Sequence, residues 1–148
     1  EAFGLERYVE SFKRESFKGS TKGFDENAMD LLIEGLREPI TDLIFETATG
    51  TKKEMNLTED YLICVRVMSD RQNTMIEGLN EENLKHIHLY NVSKDLAGNY
   101  YSWGGTVLKV TARGRSIKEA RRRVYRTLKN IHIDDIQYRT DIGEDLEY

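Results

Sequence analysis

The chain has 148 residues, with 22 Lys and Arg against 26 Asp and Glu, a net charge of −4 and one cysteine. That length suits one domain, or one domain plus a helical piece of a neighbour, and it buries enough surface to fold without a disulfide or metal. The acidic balance argues against general affinity for nucleic acid or anionic membrane, a lone cysteine implies a reducing, cytoplasmic setting, and no apolar run is long enough for a membrane span.

Glu1 in place of Met reads as a processed chain or an excised domain. Leu5, Tyr8, Val9 and Phe12 fit a short amphipathic helix, and Lys18 to Gly23 reads as a loop. Asp25 is the expected N-cap of a helix running to Leu36. Pro39 separates it from a second helix that starts at Thr41 or Asp42 and ends at Gly50. Residues 51 to 58 form a polar connector.

The pattern then changes to strands. Tyr61 to Met68 is apolar or β-branched at nearly every position, which predicts a central strand. Ser69 to Lys85 reads as a loop with one helical turn, and His86 to Val92 as a strand with Ile87 and Leu89 on one face. Asp95, Gly98 and Asn99 mark a hairpin leading to a short strand, Tyr100 to Trp103. After Gly104 and Gly105, the strand Thr106 to Ala112 places Leu108, Val110 and Ala112 on one face and Lys109, Thr111 and Arg113 on the other. Ser116 and Glu119 make an S-x-x-E capping box for a helix whose buried stripe is Ile117, Ala120, Val124, Leu128 and Ile131. The order predicts an α+β fold: a helical N-terminal third, four strands in a small, mainly antiparallel sheet, and one long C-terminal helix packed on it.

Few residues point to chemistry by themselves. His86 and His88, two apart on a strand, would share a face and could ligate a metal, but no third ligand stands near in sequence; surface or partly satisfied histidines are the simpler reading. Cys64 sits in the most apolar strand, where a thiol packs as a small hydrophobe. The run Arg121–Arg122–Arg123 suggests a phosphate or RNA contact, against which stands the ordinary solvated outer face of an amphipathic helix. The acidic residues from Asp134 to Glu147 are candidates to pair with that helix.

The ends of the last third carry a resemblance. Gly104-Gly105-Thr106-Val107-Leu108, Ala112-Arg113-Gly114, Glu119-Ala120 with Tyr125, and Tyr138-Arg139-Thr140-Asp141-Ile142-Gly143 follow one another in the order and spacing of a known pattern. The stretch resembles the C-terminal domain of phosphoribosylamine–glycine ligases, of the ATP-grasp superfamily. Upstream, Tyr61 to Met68 with its cysteine, His86 to Val92, and the segment from Gly23 to Gly50 with Phe24, Asp25 and Glu26 are similar more weakly, so the resemblance covers about 125 residues. Ser69-Asp70-Arg71-Gln72 replaces that family's glycine-rich turn, Thr106 its arginine, and Gly19 to Lys22 lack the Glu and Asn that hold its magnesium ions.

The resemblance implies an ATP-grasp C-terminal-lobe fold, with residues 1–55 as the end of an ATP-grasp domain and 56–148 as the C-terminal α+β domain. It implies part of an ATP-dependent ligase of purine biosynthesis that joins glycine to phosphoribosylamine through an acyl phosphate. This piece would close the substrate site without catalysing the reaction alone. Its partner would be the ATP-grasp domain, in the same or another chain; ATP and magnesium would serve the intact enzyme, with no cofactor, metal ligand or catalytic residue here. Gly104, Gly105, Arg139 and Asp141 are the implied substrate-site positions, the glycines bordering the cleft and the Arg and Asp fixing the tail. The departures leave an alternative: a divergent, non-catalytic relative serving as a binding or assembly module.

Overall fold

A computed structural model describes residues 2–4, 27–51 and 55–146. The expected helix at Leu5–Phe12, the loop Lys18–Gly23 and the Asp25 cap lie outside the described residues.

Strands β1 (Ala2–Gly4), β2 (Tyr61–Ser69), β4 (Ile87–Leu89) and β7 (Gly105–Gly114) form an antiparallel sheet in the order β1-β2-β7-β4. Residues directly opposite in such a ladder share a face. Ile63 opposite Ala112, Val65 opposite Val110 and Val67 opposite Leu108 therefore build one face, and Leu62/Arg113, Cys64/Thr111 and Arg66/Lys109 build the other. The register shifts after Val67, where Met68 pairs with Thr106, so Val107 is an extra residue in β7; it and Leu108 are both fully buried.

The first face is covered by helix α3 (Ile117–Lys129), through Ala120, Val124 and Leu128. Ile131 and Ile133, just past the helix, extend the same core. Each of these valine, leucine and isoleucine side chains contributes about 1.5–3 kcal/mol on burial. The Ser116 hydroxyl caps the helix by accepting from the Glu119 amide at 3.2 Å, as the sequence predicts. The returning half differs: Glu119 Oε2 accepts from the amide of Arg115, at 2.9 Å, one residue before the N-cap.

Helix α1 (Ala28–Gly35) covers the second face, with Leu31 against Leu62 and Cys64. Helix α2 (Ile40–Ala48) follows, with Pro39 at its N-cap position. The connector runs back beside the end of α1: Arg37 donates its amide to the Asn56 carbonyl, and Thr58 donates to that of Gly35.

The strand count is a correction. A second antiparallel sheet, in the order β3-β6-β5, consists of β3 (Thr74–Ile76), β5 (Val92–Lys94) and β6 (Tyr100–Ser102). Strand β3 lies where the sequence suggests only a loop, and the adjoining turn is a 3-10 helix, Asn83–His86. The run His86 to Val92 is not one strand. It leaves the first sheet at Leu89 and joins the second at Val92, because Tyr90 and Asn91 follow the bulge and donate their amides to Val107 and Thr106. The β5–β6 hairpin turns where expected, closed by Gly98 donating to the Asp95 carbonyl with Gly98 at φ +94°.

Candidate functional site

Gly104 and Gly105 form the turn into β7, with φ +85° and +65°. Both angles lie where residues with a Cβ are strained. Gly104 is buried, and a Cβ there would stand 3.3 Å from the Arg71 carbonyl oxygen and 3.5 Å from that of Ser69. The turn is tied down on both sides. The Gly104 amide donates to Ser102 Oγ at 3.2 Å, while its carbonyl accepts from Asn91 Nδ2 at 3.1 Å. Gly105 is exposed, and the half-exposed Trp103 donates its indole N–H to Ser93 Oγ at 2.8 Å.

The turn Ser69–Gln72 lies directly behind this glycine pair and is itself held from the far side. Ser69 Oγ donates to the Asp134 carbonyl at 2.8 Å, Arg71 pairs with Asp135 at 2.9 Å, and Gln137 donates to Asp70 at 3.0 Å. An antiparallel bridge joins Met68 to Gln137. Asp135 thus pairs with Arg71, beyond the end of β2, not with α3 as the sequence suggests.

Arg139 and Asp141 pair with each other at 2.9 and 2.7 Å in solvent. The tail is fixed by other groups. Tyr125 donates its hydroxyl to the Arg139 carbonyl at 2.8 Å and accepts from the Ile142 amide at 3.2 Å. Arg121 donates to the carbonyls of Ile142 and Thr140. One arginine of the basic run is therefore a clamp, and a second, Arg123, donates to the Arg113 carbonyl and pairs with Glu119; neither is merely solvated surface. Burial raises the Tyr125 hydroxyl above its ordinary pKa, against the opposing pull of the Ile142 amide, so it stays protonated as a donor. Among the described residues, no hydrogen bond joins the glycine pair to the Arg139–Asp141 pair.

The most concentrated set of ionisable groups lies elsewhere, between α1 and the second sheet face. Asp30 and Glu34, one helical turn apart, are both buried. Lys109, fully buried, brings Nζ within 3.2 Å of Asp30 Oδ2 and 4.6 Å of the Tyr90 ring centroid. Tyr90 donates its hydroxyl to Asp30 at 2.6 Å, and His88 Nδ1 stands 3.3 Å from the other Asp30 oxygen. Thr111 donates to Glu34 at 2.8 Å, and His86 Nδ1 lies 3.1 and 3.0 Å from the two Glu34 oxygens.

Burial pulls the Lys109 ammonium down, but the hydrogen bonds to Tyr90 and Asp30 and the Asp30 charge outweigh it, so Lys109 ends above its ordinary value and stays charged. Burial and the bond to Asp30 raise Tyr90. His86 is raised chiefly by its hydrogen bond to Glu34, with its partial burial and then Arg113 and Lys85 opposing.

Some of this cluster was readable. The alternation in β7 puts Lys109 and Thr111 on one face, and the two histidines are suspect as a pair. Asp30 and Glu34 look like ordinary surface residues of an amphipathic helix until the sheet is placed beneath them. The histidines each face a carboxylate, and among the described residues no group of three or more His, Cys, Asp or Glu side chains is placed to hold a metal ion. Cys64 is a buried free thiol.

Residues 68–145 match the family described as phosphoribosylglycinamide synthetase, C domain. The phosphoribosylamine–glycine ligase of Leifsonia xyli subsp. xyli is 31% identical over 133 residues, 81% of this chain and 32% of that protein. The Streptomyces coelicolor enzyme of the same name is 30% identical over the same length and shares. The phosphoribosylamine–glycine ligase structure from Thermotoga maritima superposes with a TM-score of 0.58 at 25% identity, over 69% of this chain and 27% of that one. The chain thus spans about a third of the length of the curated relatives it matches.

Proposed function

The chain belongs to the phosphoribosylglycinamide synthetase C-domain family, and on that footing we propose that it acts as the C-terminal lobe of a phosphoribosylamine–glycine ligase. In this reading it closes the substrate site of an ATP-dependent ligase of purine biosynthesis and does not catalyse the ligation alone. The observation that carries it is the extent of the match. Residues 68–145 take in the glycine turn, β7, α3 and the clamped tail as one packed unit. The turn at Gly104–Gly105 would border the cleft, where absent side chains let a substrate approach the backbone. Tyr125 and Arg121 would hold the tail in place beside it, with the Arg139–Asp141 pair at its surface. ATP, magnesium, glycine and phosphoribosylamine would be held mainly by an ATP-grasp domain, so no step of the reaction is assigned to a side chain of this chain.

The test is a chimaera in which residues 56–148 replace the C-terminal domain of a relative's ligase. Formation of ADP and glycinamide ribonucleotide from ATP, glycine and phosphoribosylamine is expected. A folded chimaera with no turnover, beside an active parent, refutes the proposal.

One observation favours a second reading, a non-catalytic binding or assembly module. The Ser69–Gln72 turn behind the glycine pair spends its polar groups on the segment 134–137, leaving less free to meet a small ligand. A thermal shift of this chain with glycinamide ribonucleotide counts against that module. No shift, with a stable protein complex recovered alongside, supports it.

A further inference from the structure

We propose that the polar interface between α1 and the sheet is a proton-gated latch, in which protonation of a histidine in the cluster tightens the seating of α1 on the domain. The inference does not rest on the ligase reading. It starts from the charges enclosed. Helix α1 contributes two buried carboxylates, Asp30 and Glu34, and the sheet contributes one buried ammonium, Lys109. Among the described residues two carboxylates thus face one ammonium, and when both are ionised the excess negative charge out of water is costly unless another cation joins. The groups placed to supply it are His86, on both oxygens of Glu34, and His88, at Asp30 Oδ1.

The geometry around His88 agrees. Its Nδ1 faces a carboxylate, and its Nε2 faces the Thr111 hydroxyl at 3.4 Å. Thr111 has a single proton, directed to Glu34 Oε2 at 2.8 Å or to the His86 carbonyl at 3.2 Å. With the Thr111 proton so directed, His88 Nε2 faces an acceptor, while Nδ1 lies within ion-pair distance of Asp30 Oδ1. Three further cationic residues stand on this side among the described residues. Arg66, across from Lys109, and Arg113, on β7, are exposed, and Lys85 precedes His86 in the 3-10 helix. Arg113 and Lys85 oppose a charge on His86, and Glu34 outweighs them. Tyr90 stays a neutral donor to Asp30.

The sign follows from linkage. A histidine whose pKa is raised when α1 is seated adds to the seating fully below its free value, near 6.5, and loses that contribution as pH rises through the seated value. The protection of α1 should therefore fall as pH climbs above about 6.5, by up to about tenfold per pH unit for one linked proton. Lys109 and the apolar contact of Leu31 persist across that range, so α1 loosens without the fold being lost.

The test is hydrogen–deuterium exchange of the full chain from pH 5.5 to 8.5, corrected for intrinsic exchange, with α3 as internal reference. Falling protection of residues 28–35 relative to α3, flattened in His86→Gln and His88→Gln combined, is the expected result. An α1/α3 ratio independent of pH in the wild-type chain overturns the proposal. Should the double variant not fold, the titration of the two imidazole rings by NMR in the wild-type chain decides. A midpoint above 6.5 for either ring supports the latch, and midpoints at or below 6.5 for both overturn it.

Discussion

Asp30→Asn isolates the central charge pair with little change of shape. The amide keeps an oxygen to accept from Tyr90, whose hydroxyl donates to Asp30 Oδ2 at 2.6 Å, so the main loss is the charge opposite Lys109. At 3.2 Å and an effective dielectric near 20, a unit pair is worth about 5 kcal/mol before desolvation. Removing one partner of a buried pair typically costs about 3–5 kcal/mol, because the other charge stays out of water. The Tyr90 ring face at 4.6 Å offsets part of this, on the order of 1 kcal/mol. For a chain of this size about 3–5 kcal/mol lowers the Tm by roughly 6–20 °C. Urea unfolding at pH 7 reads the loss directly. The decisive variant is Asp30→Asn with Lys109→Met, which removes both charges and leaves the Lys109 site filled with apolar volume. It should recover most of the stability, since replacing a buried pair outright is often neutral. If the single variant costs under about 1 kcal/mol, or the two losses simply add, Lys109 is not held by Asp30 and the reasoning fails.

Gly114→Ala should destabilise strongly, because the new Cβ would meet the Ala120 backbone nitrogen at 2.6 Å and Glu119 Cβ at 3.0 Å. Forcing β7 and the first turn of α3 apart costs on the order of 1–3 kcal/mol, read as a lower urea midpoint. Tyr125→Phe removes the hydroxyl that serves both Arg139 and Ile142. A loss of about 1–2 kcal/mol is expected, with faster proteolysis after Arg139 as the local readout. Arg139→Ala, by contrast, should leave Tm and the amide-exchange protection of Ile142 unchanged, since its pair with Asp141 stands in solvent. A clear drop would mean that the pair, and not Tyr125 with Arg121, fixes the tail.

What the sequence told and withheld divides by range. Helix α3 was legible with its cap and stripe because Ser116, Glu119, Ala120, Val124 and Leu128 encode them within a few residues of one another. The two faces of β7 were legible for the same reason. The splitting of His86–Val92 was not, since it depends on a bulge in a neighbouring strand and on two left-handed glycines. Strand β3, three residues long, exists only through its pairing with β6. The charged layer needs contacts between residues 77 apart, such as Thr111 with Glu34, so no local pattern reveals that Asp30 and Glu34 are interior residues. Of the four positions that the resemblance implies for the substrate site, Gly104 and Gly105 fall in a built turn that requires glycine, whereas Arg139 and Asp141 form a surface pair whose partners are each other.

The two polar regions share one short support. Tyr90 and Asn91 make the crossing between the sheets, and their groups point to both sides of it. Tyr90 holds Asp30 on α1 through its hydroxyl, while its amide donates to Val107 at the bulge. Asn91 holds the Gly104 carbonyl through its side chain and the Trp103 amide through its own carbonyl. A shift of α1 that moved Tyr90 would thus be passed, one residue along a continuous backbone, to the turn proposed to border the cleft. The bonds at this crossing also explain why the strand expected to run straight through His86–Val92 is instead cut at this point.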